Sequence, residues 1–216
     1  MAKAKTATSP EEKIKKAYVD YVLEHGTKPP SIFKFVKELK IKEEVFYDSF
    51  NSFENVEKHI WLGLFQETIN RLHSDEVFAE YSVREKLLAF FYTWIEVLKT
   101  QRSFILETLP KGQKPDLKPA YLMAVRDAFK EFVTDLMLEA KETEEVKTRP
   151  YISDRYEDAI WVQFLFLINF WIKDESIGFE KTDAAIEKSV NLAFDLMGTG
   201  PLDTMLDFGK FLFQNR

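Results

Sequence analysis

The sequence predicts an all-α protein, and composition and periodicity lead to that prediction. Of the 216 residues, 45% are hydrophobic, and the chain holds 20 Phe but only 7 Gly and 8 Pro. Few helix-breaking residues among many large apolar ones favour long helices around an aromatic core. Apolar residues recur at helical spacing along the chain, and the sequence has no strand-like alternation of any length. We expect a three-helix N-terminal domain, residues 1–54, followed by a larger helical bundle, residues 55–216.

The N-terminal helices are short, and their ends follow from capping residues and helix breakers. The predicted spans are Ser9-Pro10 to His25-Gly26, Ser31 to Leu39 and Lys42 to Ser49, with a long fourth helix that starts at Asn51-Ser52. The second and third helices are joined by a brief turn at Lys40.

The helices of the second domain are longer. Their predicted spans are Ser82 to about Gln101, Tyr121 to about Lys141, Asp154 to Lys173 and Glu180 to Met197, with a last short amphipathic helix within Leu202–Phe213. Proline and glycine residues within 110–119 separate the first two of these helices. We expect the last segment to pack on the protein's own core.

Several function classes are disfavoured by residues that the sequence lacks. It has no Cys, so disulfides, thiolate metal sites and Cys nucleophiles are excluded. His25, His59 and His73 are scattered, and neither H-E-x-x-H nor a glycine-rich nucleotide motif occurs. We therefore expect no metal, no cofactor, no catalytic residues and no enzymatic activity.

The sequence also predicts a cytoplasmic protein without stable membrane association. Its first residues have no apolar stretch typical of a signal peptide. The longest apolar run, Ala159 to Ile172, is shorter than the roughly 20 residues that span a bilayer.

Two short helices joined by a tight turn, supported by a third, are typical of a helix-turn-helix. In that arrangement the second of the two helices is presented as a rigid rod that fits the major groove of DNA. The same spacing also fits an ordinary small bundle, so residue identities must decide between the two interpretations.

The types of residue in these helices favour DNA binding. The first quarter of the chain resembles the N-terminal domain of the TetR family of transcriptional repressors, most closely at "FYDSFNSFENV", Phe46 to Val56. The positions that match the family's pattern are Gly26, Ser31, Ile41, Phe46, Tyr47, Phe50 and Ser52. The resemblance implies a homodimer whose C-terminal helical domain binds a small, often apolar ligand. It also implies that the ligand alters the spacing of two DNA-reading helices, as in a ligand-responsive repressor of a DNA operator.

Candidate DNA contacts follow from the helix-turn-helix and from the tail before it. They are Ser31, Lys42, Glu43, Val45 and Tyr47, with Lys3 and Lys5 from the tail. The hydroxyls of Ser31 and Tyr47 suit phosphate, and a glutamate can accept from cytosine N4. Because Glu43 and Glu44 are adjacent, they point in different directions on a helix, and we expect one to face solvent.

Three departures from the family pattern raise an alternative. Lys40 stands where a turn glycine is usual, Glu43 and Glu44 where small or polar residues are usual, and Phe53 where a phosphate-holding Lys is common. Residues 31–50 carry four Lys and four acidic residues. Because DNA affinity rests on neutralised phosphates, the tail and helix-one lysines Lys13, Lys15 and Lys16 would have to supply positive charge. The alternative is a TetR-like fold that has lost DNA binding and holds an apolar small molecule or lipid.

The helix predicted within 154–173 is apolar nearly all round, so we expect it to be buried on its own core and on a second face. Paired with the helix at 180–197, it could form a four-helix interface across a two-fold axis. The alternative is a central helix in a monomeric core.

A ligand pocket is the other expectation for the second domain. The candidate ligand-binding residues are Phe91, Trp94, Phe132, Trp161, Gln163 and Asn169, with Phe90, Phe129, Phe164 and Phe166 as further lining. Such a composition favours a small apolar or aromatic effector. The alternatives are that the aromatic residues are ordinary core, and that the two amides bond to a neighbouring backbone or to a partner subunit.

Overall fold

The structure, a computed structural model, is all-α in the residues that it describes, which are 9–109, 116–149, 153–198, 200, 205, 208, 211 and 212. The α-helices bounded there are α1 (Pro10–His25), α2 (Ile32–Glu38), α3 (Glu43–Tyr47), α4 (Phe53–His73), α5 (Val83–Lys99), α6 (Arg102–Thr108), α7 (Met123–Glu142), α8 (Tyr156–Lys173) and α9 (Glu180–Met197). Short 3-10 turns lie at Phe78–Glu80, Ala120–Leu122, Ser153–Arg155 and Ile177–Phe179. The prediction of an all-α fold is confirmed.

The ends of α1 form as the sequence predicts. The Ser9 hydroxyl accepts a hydrogen bond from the backbone N–H of Glu12 at 3.2 Å. At the other end Gly26 has φ 63°, and its N–H donates to the carbonyl of Val22 at 2.8 Å. Glycine adopts this left-handed conformation without steric cost, so α1 ends there.

The start of α5 also follows the sequence, but its end does not. Ser82 and Glu85 form a reciprocal capping box, with Ser82 N to Glu85 Oε2 at 2.9 Å and Glu85 N to Ser82 Oγ at 3.3 Å. Instead of running to Gln101, α5 stops at Lys99, and α6 begins at Arg102. Helix α6 was not predicted, because its seven residues hold fewer than two turns of apolar periodicity.

The chain divides into two compact units. The first contains the residues up to Phe65 and the segment Leu98–Val125. In it α6 packs on α1, where the ring centroids of Phe104 and Tyr18 are 6.2 Å apart. The first unit thus includes more of the chain than residues 1–54, whose role as a separate functional domain stays a prediction.

The second unit contains Gln66–Val97 and the chain from Arg126 onward. Its centre is a cluster of rings from α5, α7 and α8. Within it the Phe129 and Phe164 centroids are 4.6 Å apart, and Trp94 stacks on Phe164 at 5.5 Å. Such ring pairs add to the stability that their buried area gives.

Two charged side chains close helix ends in the second unit. The guanidinium of Arg149, which is 4% exposed, donates to the carbonyl of Met197 at the end of α9 at 2.9 Å. The carboxylate of Glu145 accepts from the first N–H groups of α5, those of Val83 at 2.8 Å and Arg84 at 3.1 Å. These bonds satisfy backbone groups that a helix leaves unpaired at its ends.

The last segment differs from the expectation at the positions that the structure describes. The side chains of Met205, Phe208, Phe211 and Leu212 are all more than half exposed. These four positions therefore do not pack on the protein's own core. The remainder of the predicted final helix lies outside the described residues.

Candidate nucleic-acid interface and ligand region

The turn between α2 and α3 adopts a left-handed conformation at Lys40, where φ is 55°. The N–H of Ile41 donates to the carbonyl of Val36 at 3.1 Å, and the N–H of Lys40 to that of Lys37 at 3.2 Å. This pair of bonds is a Schellman motif, in which glycine is the usual left-handed residue. Lysine, unlike glycine, carries a steric cost in this conformation, so the backbone at Lys40 is strained.

Helix α3 has only five residues, and buried rings hold it in place. Phe46 is fully buried, and its ring centroid lies 6.4 Å from that of Phe35 on α2 and 5.8 Å from that of Phe53 on α4. A helix of this length is unstable in isolation, so its conformation depends on this packing. The packing gives α3 a fixed outer face.

That outer face borders an open groove of about 590 Å³, which we call the head groove. The groove is lined by Phe33, Val36, Lys37, Ile41, Lys42, Glu43, Glu44 and Tyr47. Three of the predicted DNA contacts, Lys42, Glu43 and Tyr47, therefore lie on one surface. Ser31 and Val45 do not line the groove, and Lys3 and Lys5 lie outside the described residues.

The two predicted phosphate-binding hydroxyls have different surroundings. Tyr47 is 53% exposed, and its ring rests edge-on against Phe46 with centroids 5.7 Å apart. Ser31 is exposed and caps α2, where its Oγ accepts from the N–H of Lys34 at 3.3 Å. A capping serine uses a lone pair for the cap, so its hydroxyl hydrogen is still available to a phosphate oxygen.

Electrostatically the surface around α2 and α3 is balanced. Its exposed charges are Lys34, Lys37, Lys40 and Lys42 against Glu38, Glu43, Glu44 and Asp48. We expected one of the two adjacent glutamates to face solvent; both Glu43 and Glu44 are exposed, and both line the head groove. Both lie in the first turn of α3, where the helix dipole stabilises acidic side chains.

Helix α1 supplies less free positive charge than we expected. The ammonium of Lys15 lies 3.2 Å from Oε1 of Glu11 and also pairs with Glu12. Its charge is therefore compensated within α1. Lys13 and Lys16 are exposed, and Lys13 reaches the carbonyl of Leu39 at 3.5 Å.

The predicted aromatic ligand residues come together in the second unit. Phe91, Trp94 and Trp161 are buried, and the centroids of all three rings lie within 6.4 Å of the Phe164 centroid. Phe132 is half-buried and contacts Phe90 at 5.0 Å. The rings form one packed cluster, and their role in ligand binding stays a prediction.

The two predicted amides do not join this cluster through their hydrogen bonds. Gln163 Nε2 donates to the Ser189 hydroxyl on α9 at 2.9 Å. The exposed Asn169 donates to the carbonyl of Leu165 at 2.8 Å. Asn169 therefore bonds to a neighbouring backbone, as the alternative interpretation of the amides expected, whereas Gln163 bonds to a side chain. A role of either amide in ligand binding stays a prediction. Phe166, a further candidate for the pocket wall, is 47% exposed.

An apolar surface remains on the last two long helices. Val162 and Phe166 of α8 are each 47% exposed, and Leu192 and Leu196 of α9 are 59% and 40% exposed. In each helix the two residues are four positions apart and so lie on one face. We call these four residues the α8–α9 strip. Helix α8 is therefore not enclosed on every side by its own core. The choice between a dimer interface and a central helix in a monomeric core stays a prediction.

The described part of the chain contains no helix with the length and hydropathy needed to cross a membrane.

Comparison with known proteins identifies the family. No curated protein matches the chain significantly. A crystal structure of a protein from Shewanella sp. PV-4, assigned as a TetR family transcription regulator, is similar with a TM-score of 0.55. The match covers 86% of this chain and 96% of that chain at 14% identity, and it shows the fold. Residues 86–212 match the family model described as "Tetracyclin repressor-like, C-terminal domain". Since that match spans more than half of the chain, the protein belongs to the tetracycline repressor-like family.

Proposed function

We propose that this protein is a ligand-responsive, DNA-binding transcriptional regulator, a repressor that acts as a homodimer in the cytoplasm. The observation that carries the proposal is the head groove beside α3, a helix held rigidly by the buried ring of Phe46. Lys42, Glu43 and Tyr47 lie together on this exposed surface. A short helix fixed in this way is the element that a helix-turn-helix inserts into the major groove.

The proposed contacts divide into backbone and base contacts. Tyr47 and Ser31 donate hydroxyl hydrogens to phosphates. Lys42, Glu43 and Val45 face base edges, where Glu43 accepts from cytosine N4. Lys3 and Lys5 supply phosphate contacts from the tail, since the surface around α3 has no net charge.

The proposed dimer uses the α8–α9 strip. Two copies of the strip related by a two-fold axis would bury Val162, Phe166, Leu192 and Leu196 against each other in a four-helix interface. Such an arrangement presents two α3 helices, which read successive major grooves when they are about 34–36 Å apart.

The proposed effector is a small apolar or aromatic molecule. The cluster of Phe91, Trp94, Phe132 and Trp161 supplies apolar surface for it, and Gln163 and Asn169 are the polar groups on the same helix as Trp161. Because the rings pack closely, a ligand among them would have to separate α5, α7 and α8. That displacement is a route to a change in spacing between the two α3 helices.

The DNA-binding proposal is tested by fluorescence anisotropy. A duplex from upstream of the protein's own gene is compared with a random duplex of equal length at about 50 mM salt. We expect at least about tenfold tighter binding to the upstream duplex, and a loss of affinity in Tyr47→Phe. Tyr92→Phe, on α5, is the matched control. Equal affinity for both duplexes would contradict the proposal.

A second candidate function is supported by the charge balance around α3. Four lysines there face four acidic residues, and Lys15 is paired within α1. A protein with so little free positive charge could hold an apolar small molecule or lipid without binding DNA. The same titration decides between the two, because a protein of this second kind binds neither duplex even at about 20 mM salt.

A further inference from the structure

A cavity of about 280 Å³ lies within the first unit and is separate from the head groove. Its walls come from the link between α1 and α2, from α4, from the end of α6 and from the turn before α7. The side chains that give it chemical character are Lys28, Glu54, Glu57, Lys58, Trp61 and Tyr121. Its volume lies just below the usual range for small-molecule sites, about 300–1,000 Å³.

The two carboxylates in the cavity already have partners. The ammonium of Lys28 lies 3.0 Å from Oε1 of Glu54 and 3.3 Å from Oε1 of Glu57. Glu57 also accepts a hydrogen bond of 2.7 Å from the hydroxyl of Tyr18. A cationic ligand would therefore have to displace Lys28 before it could reach either carboxylate.

Lys58 is the charged group in the cavity that lacks such a partner. It is half-buried, and its ammonium makes no hydrogen bond or ion pair with any residue that the structure describes. It follows Glu54 by four residues and precedes Trp61 by three, so the three share one face of α4. A partly desolvated cation favours an anion as its neighbour.

Next to Lys58 the cavity has an aromatic wall. Trp61 is 2% exposed, Tyr121 is half-buried, and their ring centroids are 5.5 Å apart at an angle of 40°. Both rings line the cavity, so this part of its wall is apolar and aromatic and suits contact with another ring. The volume suits one or two rings with a short side chain.

We propose that this cavity is a binding site for a small aromatic carboxylate. The carboxylate accepts hydrogen bonds from the Lys58 ammonium, and the aromatic body rests against Trp61 and Tyr121. Lys28 stays with Glu54 and Glu57, so ligand binding breaks no existing ion pair.

One wall of the cavity belongs to the segment that leads into α2, which is part of the proposed DNA-binding surface. Lys28 lies in the link that joins α1 to α2, and its partners Glu54 and Glu57 lie on α4. A ligand that contacts Lys58 and Trp61 would therefore touch the same helix that the α1–α2 link is paired with. This role as an effector site rests on the proposed function, whereas the binding itself does not.

The test uses three probes that share one skeleton and differ in charge: 3-phenylpropionate, 3-phenylpropylamine and 3-phenylpropan-1-ol. Isothermal titration calorimetry of the full chain without DNA should show the carboxylate binding at least about tenfold more tightly than the alcohol. The amine should bind more weakly than the alcohol. Lys58→Gln should weaken carboxylate binding at least about tenfold and leave alcohol binding within about twofold.

Lys16→Gln, which removes an exposed lysine of α1, is the matched control and should bind all three probes as the wild type does. The proposal is overturned if the carboxylate does not bind at millimolar concentration, if the amine binds most tightly, or if Lys58→Gln leaves carboxylate binding unchanged. Should Lys58→Gln fail to fold, the three probes on the wild-type chain decide alone. Because no DNA is present, failure here is distinct from failure of the DNA-binding proposal.

Discussion

The hydroxyl of Tyr18 on α1 donates a hydrogen bond of 2.7 Å to Glu57 on α4, and both side chains are buried. Burial and the Glu57 carboxylate raise the pKa of the Tyr18 phenol far above its usual range, so Tyr18 stays a donor. This bond ties the first helix to the fourth across the core of the first unit.

Removing the hydroxyl should destabilise the protein. Tyr18→Phe leaves a buried carboxylate with one hydrogen bond fewer, at an expected cost of about 1.5–3 kcal/mol in the free energy of unfolding. Urea denaturation followed by circular dichroism measures this change. Tyr21→Phe, one turn further along α1, is the control and should cost less than about 0.5 kcal/mol. Equal effects of the two variants would show that the buried bond contributes little.

Relieving the strain at Lys40 should stabilise the protein. Lys40→Gly places the residue best suited to φ 55° in the turn between α2 and α3, for a gain of about 0.5–1 kcal/mol in the free energy of unfolding. Lys37→Gly, inside α2, should instead cost about 1 kcal/mol. Both variants remove a lysine charge. If the free energy of unfolding, measured by urea denaturation, rises in one and falls in the other, the turn geometry and not the lost charge is the cause.

Removing acid from the head groove should strengthen DNA binding. Glu43→Gln and Glu44→Gln each remove a negative charge from the surface proposed to lie against DNA, and each should tighten binding to a random duplex about two- to fivefold because repulsion from the phosphates falls. Anisotropy titrations at about 50 mM and 200 mM salt measure the gain, which should shrink at the higher salt. Glu24→Gln on α1 is the control. If the wild type and all the variants bound a random duplex with equal affinity, this surface would not lie close to the DNA.

A charge in the α8–α9 strip should separate the proposed dimer. Phe166→Glu would bury a carboxylate in an apolar interface, at a cost of about 2–5 kcal/mol in association free energy. Sedimentation velocity at micromolar concentration should show a dimer for the wild type and a monomer for the variant. Leu138→Glu, at an exposed leucine of α7, should remain dimeric. A wild-type monomer would contradict the interface directly.

Asp174, between α8 and α9, holds four hydrogen bonds. One oxygen accepts from the N–H of Ser176 at 2.8 Å and from its hydroxyl at 2.6 Å; the other accepts from the N–H of Thr182 at 2.9 Å and from its hydroxyl at 2.6 Å. Burial acts to raise the pKa of Asp174, but these bonds outweigh it and hold that pKa well below its usual range.

This arrangement predicts a pH-dependent stability difference. A carboxyl whose pKa is lower in the folded chain stabilises the fold above its unfolded pKa of about 3.9 and loses that contribution as pH falls further. The wild type should therefore exceed Asp174→Asn in thermal midpoint at pH 7, and the difference should shrink below about pH 4. Differential scanning fluorimetry across pH measures it, with the exposed Asp127→Asn as the control. If the difference in thermal midpoint did not change with pH, the ionised carboxylate of Asp174 would not be the source of the stability.

The helix ends were predictable because each depends on the identity of a few neighbouring residues. Caps at Ser9 and Ser82, the stop at Gly26 and the bounds of α9 depend on a few adjacent residues and were read correctly. Helix α6 was not predicted because seven residues give too little apolar periodicity, and its packing on α1 involves a distant part of the chain.

The site was less predictable for the same reason. Because adjacent residues of a helix point in different directions, we expected one glutamate to face solvent; Glu43 and Glu44 are both exposed, and both border the head groove. Lys58 and Trp61 share one helix face with Glu54, a pattern visible in the sequence. Their common cavity could not be inferred, since Tyr121 comes from another segment 60 residues beyond Trp61.

The contact between Phe104 of α6 and Tyr18 of α1 constrains how chimeric proteins can be built from this chain. A chimera that transplants residues 1–54 onto another protein would keep the Phe35 and Phe53 rings beside Tyr18 but would lose the Phe104 ring that packs on its edge. A transplanted N-terminal segment should therefore include α6, or the protein that receives it should supply an aromatic side chain that packs on Tyr18 in the same way.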